Sequence, residues 1–209
     1  MHPSFFRLPS FARFHAKVGL AAMGCLLAWL PLAPAEESWS GTCTIEFLGK
    51  STLHDFTGTV SAREFTLKAT NLEDREKAQI NAVISVAVKN MDTKDEKRDE
   101  NMRDSLKEKD HPLISVTLDD LKVADTKPKW EGRLPIPSKL PFELTIMGTS
   151  HEETGKVESW SEKNGVVTMV VTFPVSLKAY DISVPTVLGF IKVKDTIEVK
   201  AILTLKPAA

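Results

Sequence analysis

The residues in this chain that could do chemistry are few, and their spacing limits what that chemistry could be. His54 and Asp55 adjoin in the stretch STLHDFTGTVSA, residues 51–62. An imidazole and a carboxylate act as a dyad when they lie within hydrogen-bond reach, about 2.6–3.2 Å, and a third group orients them. The stretch reads as extended, and neighbours on a strand point to opposite faces, so the pair cannot converge on one reacting atom without a bulge. It is therefore read as the polar end of a strand, with Asp55 in a local turn bond. His111 stands before Pro112 at the end of a helix-forming run. There an imidazolium would meet the helix C-terminal dipole. His151 precedes Glu152 and Glu153, at most a weak surface cation site. No two histidines take the i, i+4 spacing of a zinc-binding helix, and no cysteine pair forms a zinc knuckle. The acidic run Asp92 to Glu100 lacks the central glycine of a calcium loop and interleaves Lys94 and Lys97, as a solvated face does. No nucleophile elbow, phosphate loop or dinucleotide fingerprint occurs. The sequence thus predicts no catalytic residue, no metal and no cofactor.

The first 35 residues differ from the rest. Arg7, Arg13 and Lys17 come without an acid, an apolar run follows from Val18 to Leu32, and Ala33-Pro34-Ala35 precedes Glu36-Glu37. A basic head, a greasy middle and a small-residue cutting site predict a secretory signal peptide over residues 1–35. The run is too short for a membrane anchor, so no stable membrane span is expected after cleavage. Apolar residues continue past Cys25, which argues against a lipidated cysteine there. Export to the periplasm or outside the cell follows from this reading. Of 27 Lys+Arg and 28 Asp+Glu, cleavage removes three positive charges and no negative ones, leaving 24 against 28 and a net charge of −4. Such a surface has no electrostatic footprint for nucleic acid. The remaining residues, 36–209, suit one domain. Cys43 alone persists, so no internal disulfide can form, and a buried inert thiol is expected. Monomer and homodimer are both left open.

The elements that must position these residues are strands. Ile80, Ala82, Ile84, Val86 and Val88 alternate with polar neighbours, as do Ile114, Val116 and Leu118. Phe142, Leu144 and Ile146 form a third such set, Val167, Met169, Val171 and Phe173 a fourth, and Ile197 to Leu205 a fifth. Period two with one apolar face predicts half-buried antiparallel strands. Turn signals fall at Gly148, Gly155, Asn164-Gly165 and the proline-broken run Lys127 to Pro141. The spacing suits a sandwich or a barrel, and closure would remove exposed edges. Between Asp92 and Pro112 the β rhythm gives way to helix formers, with Met102 and Leu106 on one face. This predicts a helix of about ten residues, stopped by His111-Pro112 and laid across one barrel end.

Four pieces in order resemble the YceI-like family. RDENMRDSLKEKDHPLISVTL resembles its charged helix running into a strand, and LPFELTIMG its "T-I-x-G" strand. FPVSLKAYDISVPTVLGFIKVKDTIEVKAILTL resembles its closing segment, and STLHDFTGTV its second strand. The resemblance covers about residues 40–206. It departs from the family's pattern at Leu118, where an aromatic is usual, and at Thr149-Ser150. It implies an all-β fold: a lipocalin-like antiparallel β-barrel of about eight strands with one short α-helix between strands. It also implies an exported, non-enzymatic protein holding an amphiphilic lipid, such as a polyisoprenoid or fatty-acid derivative.

Strands of about ten residues at ~3.3 Å each, tilted ~40°, would make a wall roughly 25 Å high. Each buried CH₂ contributes about 0.8 kcal/mol, so ten to fifteen carbons offer on the order of 8–12 kcal/mol before binding costs. The expected ligand wall comprises Ile84, Val86, Val116, Leu118, Phe142, Leu144, Ile146, Met169, Phe173, Val199 and Leu203. Met102 and Leu106 would close one end, and His54 would meet a lipid head group at the mouth. The rival readings are a filled barrel serving as an envelope interaction module and an enzyme on lipid substrates using His54.

Overall fold

The computed structural model describes residues 36–130, 135–183, 186–187 and 191–208. The stretch read as a signal peptide lies outside the described residues, and the fold is that of the unit Pro34–Ala209. The strands are β1 (Glu36–Ser51), β2 (Phe56–Ser61), β3 (Phe65–Thr70), β4 (Gln79–Ala87), β5 (Leu113–Lys122), β6 (Lys139–Ile146), β7 (Thr149–Lys163), β8 (Val166–Ser176), β9 (Thr186–Val187) and β10 (Ile191–Pro207). One α-helix among the described residues, α1 (Glu96–Ser105), follows β4.

All pairings are antiparallel, in the order β1-β3-β4-β5-β6-β7-β8-β10, and β10 returns to β1 from Trp39↔Pro207 to Gly49↔Ile197. The sheet is thus a closed barrel of eight strand positions. One position is shared: β3 pairs with the first half of β1 (Glu36↔Thr70 to Gly41↔Phe65) and β2 with the second (Thr44↔Ser61 to Gly49↔Phe56). Glycines sit where rings cross strands. A Cβ on Gly41, Gly49 or Gly58 would enter the ring of Phe65, Phe56 or Phe47 respectively, its cross-strand partner in each case. The missing side chains let these rings lie flat on the wall.

Two expected hairpin turns form at Met147-Gly148 (φ 50° and 77°) and Asn164-Gly165 (φ 54° and 76°). Positive φ at both central residues matches the twist of a two-residue hairpin. Gly155, read as a turn, instead lies inside β7 opposite Leu140, where a Cβ would enter Val171. Pro141 also lies inside a strand. The β5–β6 ladder spans only Ser115↔Thr145 to Thr117↔Glu143, so Pro141 is past its end, in an edge-like position that accepts proline. The gap beyond is filled by the one-turn helix Val123–Thr126, whose Val123 and Thr126 are buried.

The helix departs from expectation in how it ends. It has the expected length, but it stops at Ser105, well short of His111-Pro112. Lys107 takes φ 50°, and Lys107 N–H and Glu108 N–H donate to the carbonyls of Asp104 and Arg103. That is a Schellman stop with lysine at the usual glycine position. His111 therefore does not cap the helix; it lies beside Gly148. His54 and Asp55 do not belong to a strand either. They lie in the loop joining β1 to β2, where Ser51 Oγ accepts from the His54 N–H (3.1 Å) and donates to the His54 carbonyl (2.6 Å). Ser51, and not Asp55, supplies the local turn bond.

Candidate functional site

Alternation along β1, β4, β5, β6, β8 and β10 delivers an apolar row from each to the barrel interior, and those rows do not meet in the middle. They surround a cavity of about 620 Å³. Its walls are Cys43, Ile45 and Phe47 from β1, Val60 from β2, Ile84 and Val86 from β4, Ile114 and Val116 from β5, and Leu140, Phe142, Leu144 and Ile146 from β6. Val171, Phe173 and Val175 from β8 and Val193, Ile197, Val199, Ala201 and Leu203 from β10 complete the circle. Phe142 and Phe173 meet edge to face, with centroids 4.9 Å apart. A second, smaller cavity of about 100 Å³ lies toward the end marked by Trp39, Phe65, Val167 and Leu205.

The end where β4 exits carries the polar groups. There α1 turns Arg98, Asn101, Met102 and Ser105, the i, i+3, i+4, i+7 stripe of one helix face, to the large cavity, and its C-cap Leu106 joins them. The helix is tied down locally. Its N-cap Asp95 accepts from the Arg98 N–H (2.9 Å). Buried Asp99 accepts from both the Thr93 N–H (2.9 Å) and the Thr93 hydroxyl (2.6 Å). Arg98 donates from Nε to Thr93 Oγ1 (2.9 Å) and from Nη2 to the Thr93 carbonyl (3.1 Å). Its guanidinium also lies over the Phe56 ring, 5.3 Å from the centroid, so it joins the helix to β2. Across the mouth, the β1–β2 loop presents His54 and Leu53, the latter 57% exposed.

The residues expected to meet a ligand divide by height. Ile84, Val86, Met102, Leu106, Val116, Phe142, Leu144, Ile146, Phe173, Val199, Leu203 and His54 line the large cavity. Leu118 and Met169 point inward too, but they line only the small one. The sequence reading missed the whole β1 row, although Cys43, Ile45 and Phe47 alternate with Thr44 and Glu46 as plainly as any other set. It also missed Arg98 and Asn101, whose place follows from their spacing to Met102.

Cys43 is 5% exposed and faces this interior. Burial pushes its thiol up to about 12, slightly offset by a hydrogen bond with the Ile202 backbone. A thiol so placed is not available to join two copies. His151 bonds through Nε2 to the Ala179 carbonyl (2.8 Å) and stacks edge-on against Tyr180. Burial and the neighbouring Glu153 carboxylate raise the Tyr180 phenol well above its ordinary range. Among the described residues no three His, Cys, Asp or Glu side chains group to hold a metal ion, and no helix is long and apolar enough to cross a membrane.

An eight-position antiparallel barrel with a hollow apolar interior and one helix across its mouth defines a lipocalin-like barrel. The chain belongs to the YceI-like domain family, whose model matches residues 40–205. Among solved structures it is similar to BcnA of Burkholderia cenocepacia, at 16% identity, with 78% of this chain and 95% of that one covered and a TM-score of 0.56. It is similar as well to a polyisoprenoid binding domain from Saccharophagus degradans implicated in plant cell wall breakdown. There the identity is 11%, the coverage 83% and 100%, and the TM-score 0.55. At such identities the likeness is one of fold. No curated protein matches the chain significantly by sequence.

Proposed function

We propose that this chain is an exported, non-enzymatic binding protein that sequesters or carries a long amphiphilic lipid, of polyisoprenoid or fatty-acid type, inside its barrel. The observation that carries the reading is the 620 Å³ apolar chamber. At about 30 Å³ per heavy atom it has room for roughly twenty. At ~0.8 kcal/mol per CH₂, a chain of that size gains on the order of 16 kcal/mol, against about 4–15 kcal/mol for association. Apolar tails would run inward, and a polar head would stay at the mouth near His54, Arg98 and Asn101. A binding domain of the same fold from Saccharophagus degradans is described as polyisoprenoid binding, which agrees with this ligand class. The filled-barrel reading is not favoured by a hollow of this size. Export rests on the basic and apolar pattern of residues 1–35, with the mature chain beginning at Glu36.

Gentle purification followed by native mass spectrometry tests the proposal. An added mass, released by solvent extraction and identified as a long-chain lipid, is the expected result. A bare chain that also refuses a hydrophobic dye would end the lipid reading. His54→Ala should leave lipid retention within about threefold if the ring only brushes the head group. N-terminal sequencing of the exported form should start at Glu36.

A further inference from the structure

The interior is not one chamber. The large and small cavities share four lining side chains: Ile84 from β4, Val116 from β5, Leu140 from β6 and Leu203 from β10. Ile84 and Val116 are cross-strand partners in register, and Leu203 is in register with Cys43 on one side and Met169 on the other. Leu140 and Leu203 are 8% and 5% exposed, while Ile84 and Val116 are half-buried, as expected of groups with open space on one side. The four come from separate strands and each borders both cavities, so a partition one side chain thick stands between them. Below it lie Leu118, Met169 and Val167, around about 100 Å³ that could hold a few more carbons. Above it lies the chamber that opens to the helix. No charged side chain lines the small cavity, so an apolar chain end that reaches the partition meets the bulk of these four aliphatic groups.

We infer that Ile84, Val116, Leu140 and Leu203 set the length of the apolar chain this barrel accepts, and that the small cavity is a reserve the partition closes off. The inference rests on the lipid reading of the preceding section. Filling the upper chamber takes roughly twenty heavy atoms, and each further carbon finds no room until the partition opens. Below that length each added carbon should tighten binding about fourfold, and beyond it the gain should stop. Truncating Leu203 to alanine frees the space of three carbons and joins it to the lower cavity, which at ~30 Å³ per atom adds three or four more.

The test presents the whole chain, and separately its Leu203→Ala and Ile84→Ala variants, with an equimolar mixture of straight-chain primary alcohols in micelles. The alcohols run from about twelve to thirty carbons, and native mass spectrometry reads which lengths are retained. The unmodified chain should favour alcohols near about twenty carbons, and Leu203→Ala should move that maximum up by about six. Ile84→Ala, an independent opening should the first variant fold poorly, should move it the same way. Val199→Ala, which enlarges only the upper chamber, should move it by less than half as much. If both opening variants that fold keep the unmodified chain's length distribution, or if Val199→Ala shifts it equally, the partition is overturned while lipid binding stands. If the unmodified chain retains no alcohol of any length, the lipid reading fails and takes the partition with it.

Discussion

Cys43 faces the lumen, and in the proposed mature form beginning at Glu36 it is the one thiol, so there it can report on that lumen without any substitution. Desolvation raises its pKa from 9.0, the ordinary value, to about 12. At pH 8 the thiolate fraction then falls from about one tenth to about one ten-thousandth, and only the thiolate reacts. Methyl methanethiosulfonate, small and uncharged, can enter an apolar chamber. Its reaction with the folded chain should be about a thousandfold slower than with the same chain in guanidinium, and should quicken about tenfold per pH unit above pH 9. An alcohol that fills the chamber would lie against Ala201 and Val171, which line the same wall as Cys43, and should slow the reaction further. A folded rate within about tenfold of the unfolded one would refute the burial argument. A rate indifferent to the alcohol would show that the chain end does not reach this wall.

The same shift acts on stability. The unfolded chain releases the Cys43 proton near pH 9 and the folded chain holds it to about 12, so the contribution is whole below pH 9 and is lost above it. The loss should approach ~1.4 kcal/mol per pH unit, and Cys43→Ala should remove that slope from urea titrations run between pH 8 and 10. Gly58→Ala places a methyl inside the Phe47 ring and should cost about 1–3 kcal/mol by urea melting, with a loss of lipid capacity as the ring swings inward. Asp99→Ala strands the buried Thr93 N–H and hydroxyl and should cost about 1–3 kcal/mol, read by thermal melting and by faster hydrogen exchange along α1. Asp95→Ala removes the helix cap and should cost about 1 kcal/mol.

What could be read from the chain follows from what alternation encodes. It states which face of a strand is apolar, so β4, β5, β6, β8 and β10 were legible and their inward rows are the walls of the cavity. It does not state height along the barrel axis. Leu118 and Met169 therefore could not be told from Ile114 and Phe173, although they line different cavities. β7 was illegible because its wall position opposite Leu140 is Gly155, a residue that reads as a turn until Val171 is seen to need its space. The helix was legible from composition, but its end was not. The Schellman stop puts Lys107 in a left-handed conformation that no residue type there announces, and the conspicuous proline lies further on. His54 was visible as a residue but not as a loop, since the bonds that turn the chain come from Ser51.

The hollow also bears on stability. Removing side chains from a close-packed core costs about 24 cal/mol per Å³ of void, and at that rate 620 Å³ would amount to roughly 15 kcal/mol, the whole stability of an ordinary domain. The barrel therefore cannot be carried by its centre. Its cohesion must come from the closed ladder, continuous from β1 through β10 and back to β1, and from the buried side chains around Trp39, Phe65, Val167 and Leu205, where the void is only about 100 Å³. A guest that fills the chamber restores contacts that the chain's own side chains leave unmade. It should raise the unfolding free energy by RT ln(1 + [L]/Kd), about 2.7 kcal/mol at a hundredfold excess over Kd. On this reasoning the ligand completes a core that the sequence supplies only in part, and thermal stability and occupancy should rise together along a series of chain lengths.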